Sequence, residues 1–146
     1  MTQATVLIVD DEADVRHMVS YVFRRCGYRV HTAADGAQAL AIAESILPDI
    51  VITDVVMPRM TGTELARALR AGERTAHVPI LMISAHDRAD LRAGDGALAD
   101  AYLVKPVELA ALVGRAEALI AAGRARGGGQ RDRPAETLAR RTGPEQ

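Results

Sequence analysis

The chain has 146 residues, 49% of them apolar, with three Tyr, one Phe and no Trp, which suits one domain with an aliphatic core. The net charge of −1 divides into −4 over residues 1–120 and +3 over 121–146, and neither balance marks a dedicated nucleic-acid binder. A single cysteine, Cys26, excludes an internal disulfide, no stretch has the length of a membrane span, and the opening MTQATVLIVD is not a signal peptide. The expectation is a cytoplasmic protein with no membrane partner.

The first β-branched apolar run, 5–9, predicts a strand ending in Asp10 and Asp11. A helix follows, with Val15, Met18, Val19, Val22, Phe23 and Cys26 on one stripe, which puts Cys26 in the core. The run 28–32 alternates as Tyr28, Arg29, Val30, His31 and suits an edge strand. Asp35 with Gln38 has capping-box spacing and opens a helix over 36–47. The run 50–53, continuously apolar over 50–52, predicts a central strand ending at Asp54.

Thr61 with Glu64 repeats the capping-box spacing before a helix over 62–71. Another apolar strand, 80–83, ends in Ser84. The segment 87–97 is a weak helix, interrupted by Gly94 and Gly96. The strand 101–104 leads into Lys105, and Pro106 stands where a last helix can begin. That helix carries Leu109, Leu112, Val113, Ala116, Leu119 and Ile120 on one face. Beyond 122 the chain is rich in Gly and Arg without an apolar period, so the domain is expected over 1–122 and a disordered tail over 123–146.

Strands alternating with helices five times predict an α/β fold with a parallel sheet covered on both faces. Right-handed crossovers leave few strand orders, among which 2-1-3-4-5 is common. In such sheets ligands bind at the carboxyl ends of the strands, where strand order reverses. Asp10, Asp11 and Asp54 converge there. Three adjacent carboxylates repel one another unless something cancels their charge, and a hard divalent cation such as Mg²⁺ takes oxygen ligands. Ser84 and Lys105 end the neighbouring strands and offer a hydroxyl donor and an ammonium. Lys105 is the only lysine in a chain with seventeen arginines. The set amounts to positioning plus charge cancellation around a carboxylate nucleophile, which is what phosphoryl transfer requires.

The motifs VDDE at 9–12, TDVVMPRMTG at 53–62, ISA at 83–85 and YLVKP at 102–106 resemble the receiver domain of two-component response regulators. The resemblance covers roughly residues 4–122, and four separated motifs occur in order. It implies a doubly wound, five-stranded, flavodoxin-like (CheY-like) three-layer sandwich.

It further implies that Asp54 accepts a phosphoryl group from a phosphohistidine on a sensor histidine kinase or a histidine phosphotransfer protein. Mg²⁺, or Mn²⁺, would be held by Asp11 and Asp54, by Asp10 through water and by the Val56 carbonyl. Lys105 would pair with the acceptor and then with the phosphoryl group. Ser84 and Tyr102 would be the switch residues, and the Lys105–Pro106 bond would be cis. Such a chain modifies itself and turns over no external substrate, so it is not an enzyme in the ordinary sense. Its output would be an unidentified downstream protein, with dimerisation on phosphorylation as one form of response. Val56 and His86 stand at variable positions of the family that influence how long the phosphoryl group lasts.

Other readings compete. An aspartyl-phosphate hydrolase of the haloacid dehalogenase type wants an acid two residues after the nucleophile, where this chain has Val56. A flavodoxin-like nucleotide or flavin binder wants a phosphate-cradling loop after the first strand, where this chain has DDEAD. No helix-turn-helix pattern follows residue 122, which favours a stand-alone receiver over a fragment of a larger regulator with an output domain.

Overall fold

A computed structural model describes residues 3–57, 59–85 and 98–132, with side chains through 125. The described elements are β1 (Thr5–Val9), α1 (Ala13–Arg25), β2 (Arg29–Ala33), α2 (Gly36–Ile46), β3 (Ile50–Asp54), α3 (Gly62–Ala71), β4 (Ile80–Ser84), β5 (Ala101–Val104) and α4 (Leu109–Asp132). The predicted helix over 87–97 lies outside the described residues, as does His86.

All five strands are parallel, in the order β2-β1-β3-β4-β5. Consecutive side chains on a strand point to opposite faces, and this divides the core into two clusters. Leu7, Val9, Val51, Ile80 and Met82 face α2 and α3. Val6, Ile8, Ile50, Ile52 and Leu81 face α1 and α4, where Phe23 and Leu112 meet them. Strands buried on both faces read as unbroken apolar runs, and β3 is buried at all five positions. β2, at the edge, is exposed or half-buried at four of its five.

The helix starts show how local chemistry sets the site loops. Thr61 and Glu64 form the full reciprocal box: Glu64 N–H donates to Thr61 Oγ1 at 3.1 Å, and Thr61 N–H donates to Glu64 Oε1 at 2.9 Å. At α2 the box is shifted by one residue. Asp35 Oδ1 accepts from Gln38 N–H at 2.9 Å, but Gln38 Oε1 accepts from Ala34 N–H at 2.6 Å.

Four expectations need correction. Cys26 is exposed, not in the core. It is the C-cap of α1, and Gly27, at φ +96°, turns the chain away before another helical turn can bury it. Met18, on the same predicted stripe, is 49% exposed. Pro106 does not open the last helix, which begins three residues later at Leu109; the Lys105–Pro106 peptide is cis.

The last helix also passes the predicted boundary at 122 and runs to Asp132. Gly123 is buried, and a Cβ there would meet Pro79 Cγ at 3.0 Å. Arg124 Nη2 reaches Asp49 Oδ2 at 3.4 Å. These contacts tie the first turns beyond 122 to the body of the domain. Residues 133–146 of the predicted tail lie outside the described residues.

Candidate functional site

The site lies at the carboxyl ends of β1, β3 and β5, where strand order reverses around β1 and β3. Asp10 follows β1 and is anchored there, because its N–H donates to the Ala33 carbonyl of β2 at 3.1 Å. Asp54 is the last residue of β3, and both residues are buried. Asp11 is exposed at the rim. One carboxylate oxygen from each of these three lies within 4.8 Å of the others.

Lys105 closes the cluster. Its Nζ lies 2.8 Å from Asp54 Oδ2, and its N–H donates to the Ser84 carbonyl at 2.8 Å, which fixes the start of the β5–α4 loop against the end of β4. Asp54 Oδ1 accepts a long contact from Val56 N–H, at 3.4 Å. Asp10 Oδ1 accepts from Glu12 N–H at 2.9 Å.

The electrostatics follow from this packing. Burial pushes the Asp10 carboxyl above its ordinary value, the Glu12 N–H bond draws it down, and the Asp54 charge raises it again. The hydrogen bond to Asp54 raises the Lys105 ammonium, burial opposes that rise, and the charge of Asp54 then adds to it. The Lys105 ammonium thus pairs with one carboxylate of a cluster of three. An all-oxygen donor set with excess negative charge and an exposed rim fits a hard divalent ion, and among the described residues the cluster holds carboxylates alone.

The loop after β3 is braced tightly. Gly62 packs so closely that a Cβ would overlap the Asp54 carbonyl oxygen, and Gly62 N–H donates to the Val55 carbonyl at 2.8 Å. Arg59, in the left-handed region at φ 66°, reaches back to Asp35, with Nη2 2.6 Å and Nε 3.1 Å from Oδ2. Both nitrogens converge on one carboxylate oxygen, and the pair holds the loop after β3 to the N-terminus of α2. The sequence marked Asp35 only as a cap; a partner 24 residues away leaves no local signal.

The other expected residues fall around this centre. Ser84 is buried at the end of β4, beside Asp54 in the sheet order. Tyr102 is buried among the core side chains on the α2 and α3 face, so its ring is already turned inward. Val56 is 66% exposed on the loop directly after Asp54. Arg16, which sequence reasoning passed over, donates to the Asp10 carbonyl at 2.7 Å.

The family model for the response regulator receiver domain matches residues 6–117. The chain belongs to that family. It is 43% identical over 121 residues to the transcriptional regulatory protein PrrA of Mycobacterium tuberculosis, covering 82% of this chain and 51% of the relative. It therefore spans about half the length of that curated relative. Among solved structures it resembles the chemotaxis response regulator CheY4 of Vibrio cholerae, with TM-score 0.76, 39% identity, and coverage of 81% of this chain and 99% of that one. It also resembles the response regulator TrrA of Thermotoga maritima, solved in complex with Mg²⁺ and BeF, with TM-score 0.72, 29% identity, and coverage of 80% and 99%. The fold is the CheY-like, flavodoxin-like sandwich that the motifs imply. Among the described residues, no helix is long and apolar enough to cross a membrane.

Proposed function

We propose that Asp54 is a phosphoacceptor, taking a phosphoryl group from a phosphohistidine on a sensor histidine kinase or histidine phosphotransfer protein. The observation that carries this reading is the convergence of three carboxylates within 4.8 Å, with Lys105 Nζ 2.8 Å from one oxygen of Asp54. Asp10, Asp11 and Asp54, with the Val56 carbonyl, would hold Mg²⁺ or Mn²⁺. When bound, the ion supplies charge neutralisation at the phosphoryl oxygens.

The chain's own groups do the rest. Asp54 presents Oδ1, the oxygen left unpaired by Lys105, as the nucleophile. Lys105 steadies the other oxygen and offers an ammonium to the incoming phosphoryl group. A phosphoryl group adds nearly two negative charges and three acceptor oxygens. Ser84 and Lys105 offer donors at the ends of the adjoining strands, and Tyr102 is buried on β5. Their rearrangement would shift a two-state equilibrium on the β4 and β5 side of the sheet. Val56 has no polar group to orient an attacking water, so the aspartyl phosphate would be long-lived. The protein would work in the cytoplasm as a switch rather than as a turnover enzyme.

A second reading of the output is favoured by one observation: the chain spans only 51% of a relative named as a transcriptional regulator. Such a receiver would act on DNA through another domain, in contrast to a stand-alone receiver that acts through protein contacts. The central reading is tested by incubation with acetyl phosphate and Mg²⁺ followed by intact-mass analysis. Wild type gains one phosphoryl mass and Asp54→Asn gains none. Labelling that survives Asp54→Asn, or that ignores chelation of the metal, rejects it.

A further inference from the structure

Next to the acidic cluster, a groove of about 480 Å³ opens between α1 and α4, with the ends of β1, β3 and β4 as its floor. Val15, Met18 and Val19 form one wall; Leu109 and Leu112 form the other. Asp10, Asp54 and Lys105 line the same space. Its volume falls within the roughly 300–1,000 Å³ of small-molecule pockets, which are likewise apolar with a few convergent polar groups. Met18 is 49% exposed there, so the wall is open to an incoming apolar group.

We propose that this groove receives the leaving group of a small phosphodonor, so that acyl phosphates with short aliphatic chains phosphorylate the chain faster than acetyl phosphate does. The inference rests on Asp54 being the acceptor. Attacking and leaving oxygens lie roughly in line across the transferred phosphorus. A phosphoryl group presented to Asp54 from within the groove therefore has its leaving group directed away from Asp54, among the apolar walls. The two ends of the donor match the two parts of the space. Lys105 faces the anionic phosphoryl end, whereas Met18, Leu109 and Leu112 suit an uncharged chain. Glu12 also lines the groove and disfavours a second anionic group on the tail.

The step balances without a further reactant. A lone pair on the Asp54 carboxylate forms the new O–P bond. The P–O bond to the acyl group breaks and its electron pair leaves on the departing carboxylate. The products are the aspartyl phosphate and a free carboxylate, with no proton or oxidant required.

The experiment compares butyryl phosphate with acetyl phosphate at equal, sub-saturating concentration with Mg²⁺, following phosphoryl mass gain over time. The two leaving carboxylates are of nearly equal basicity, so the difference reads two methylenes. Each buried methylene is worth up to roughly fourfold, and the expected rate ratio is about ten. Met18→Ser and Leu109→Ser bring the ratio toward one, and because it is a ratio on one sample, a misfolded fraction cancels. As a binding readout, unreactive butylphosphonate shifts the Met18 methyl resonance and methylphosphonate leaves it in place. A wild-type ratio of one with acetyl phosphate labelling intact overturns the groove assignment alone and leaves that face to a macromolecular partner. Absence of labelling with either donor overturns the acceptor reading and the groove assignment together.

Discussion

Lys105 Nζ sits 2.8 Å from Asp54 Oδ2, an ion pair that reaches across β4 from the end of β5 to the end of β3. It joins the two motifs that lie 51 residues apart in the chain. The Lys105 pKa is raised first by the Asp54 hydrogen bond. A raised ammonium stabilises the fold fully below its ordinary value near 10.4 and loses that contribution as pH rises through the folded value, so the pair is intact at neutral pH.

Lys105→Met should slow phosphoryl labelling of Asp54 by about 10²-fold, the usual cost of one electrostatic stabiliser. Because the lysine side chain is 38% exposed, the change in stability should stay within about 1 kcal/mol. Labelling rate and urea midpoint, measured on the same preparation, separate the two effects. Arginine at this position should rescue only in part, since its planar fork does not replace a compact ammonium.

Asp10 makes the opposite kind of contribution. Burial and the Asp54 charge raise its carboxyl, so ionising it at neutral pH costs folding free energy in the metal-free protein. Asp10→Asn keeps an oxygen for the Glu12 N–H and removes the charge. With chelator present it should stabilise the chain, by up to about 1 kcal/mol after solvent screening. With Mg²⁺ the order should reverse if the proposed site binds the ion, because binding to the native state stabilises wild type by mass action and the variant offers the ion less negative charge. Thermal unfolding with and without Mg²⁺ reads both signs.

How far these groups could be read from the sequence depends on whether their signal is local. Strand cores such as 50–52 and 80–83 are apolar on both faces, so the sheet and its site-bearing ends were legible. Asp10, Asp11, Asp54 and Lys105 sit at strand ends, where topology alone brings them together. Cys26 was misplaced because a periodic stripe does not reveal where a helix stops, and the turn at Gly27 decides it. The end of α4 was missed because composition at 123–132 looks unstructured, while the contacts of Gly123 with Pro79 and of Arg124 with Asp49 are long-range. The Arg59–Asp35 brace left no trace for the same reason.

Arg70 is a second long-range group, at the end of the sheet opposite the acidic cluster. Its guanidinium donates to the carbonyls of Leu98, Ala76 and Val78 at 2.8–3.0 Å and pairs with Asp100 Oδ2 at 2.8 Å. Asp100 in turn accepts from Ile80 N–H at 2.8 Å. One side chain thus ties α3 to the starts of β4 and β5. Arg70→Met strands these acceptors and should cost about 2–4 kcal/mol. The urea midpoint should fall with an unchanged slope, and Arg70→Lys should recover little, since one ammonium does not span four acceptors.

The brace between Asp35 and Arg59 should show itself in acid. Gln38 N–H and then the Arg59 guanidinium lower the Asp35 carboxyl below its ordinary value. A depressed carboxylate contributes stability above its unfolded value, near 3.9, and loses it as pH falls through the folded value. Asp35→Asn retains an oxygen for the Gln38 N–H but gives up the charge that holds Arg59. Wild type should therefore melt above the variant from pH 5 to 7, and the gap should close as pH drops below about 4. Because Arg59 belongs to the loop that follows Asp54, the variant should also label more slowly with acetyl phosphate at neutral pH. Arg59→Gln should reproduce both effects, and Asp35→Asn should add little to it, as expected for two halves of one interaction. Thermal melts across pH and labelling rates for the two single variants and the double variant complete the cycle. Additive effects would show that Asp35 acts only as the cap of α2 and that the loop beside the acceptor is held by other contacts.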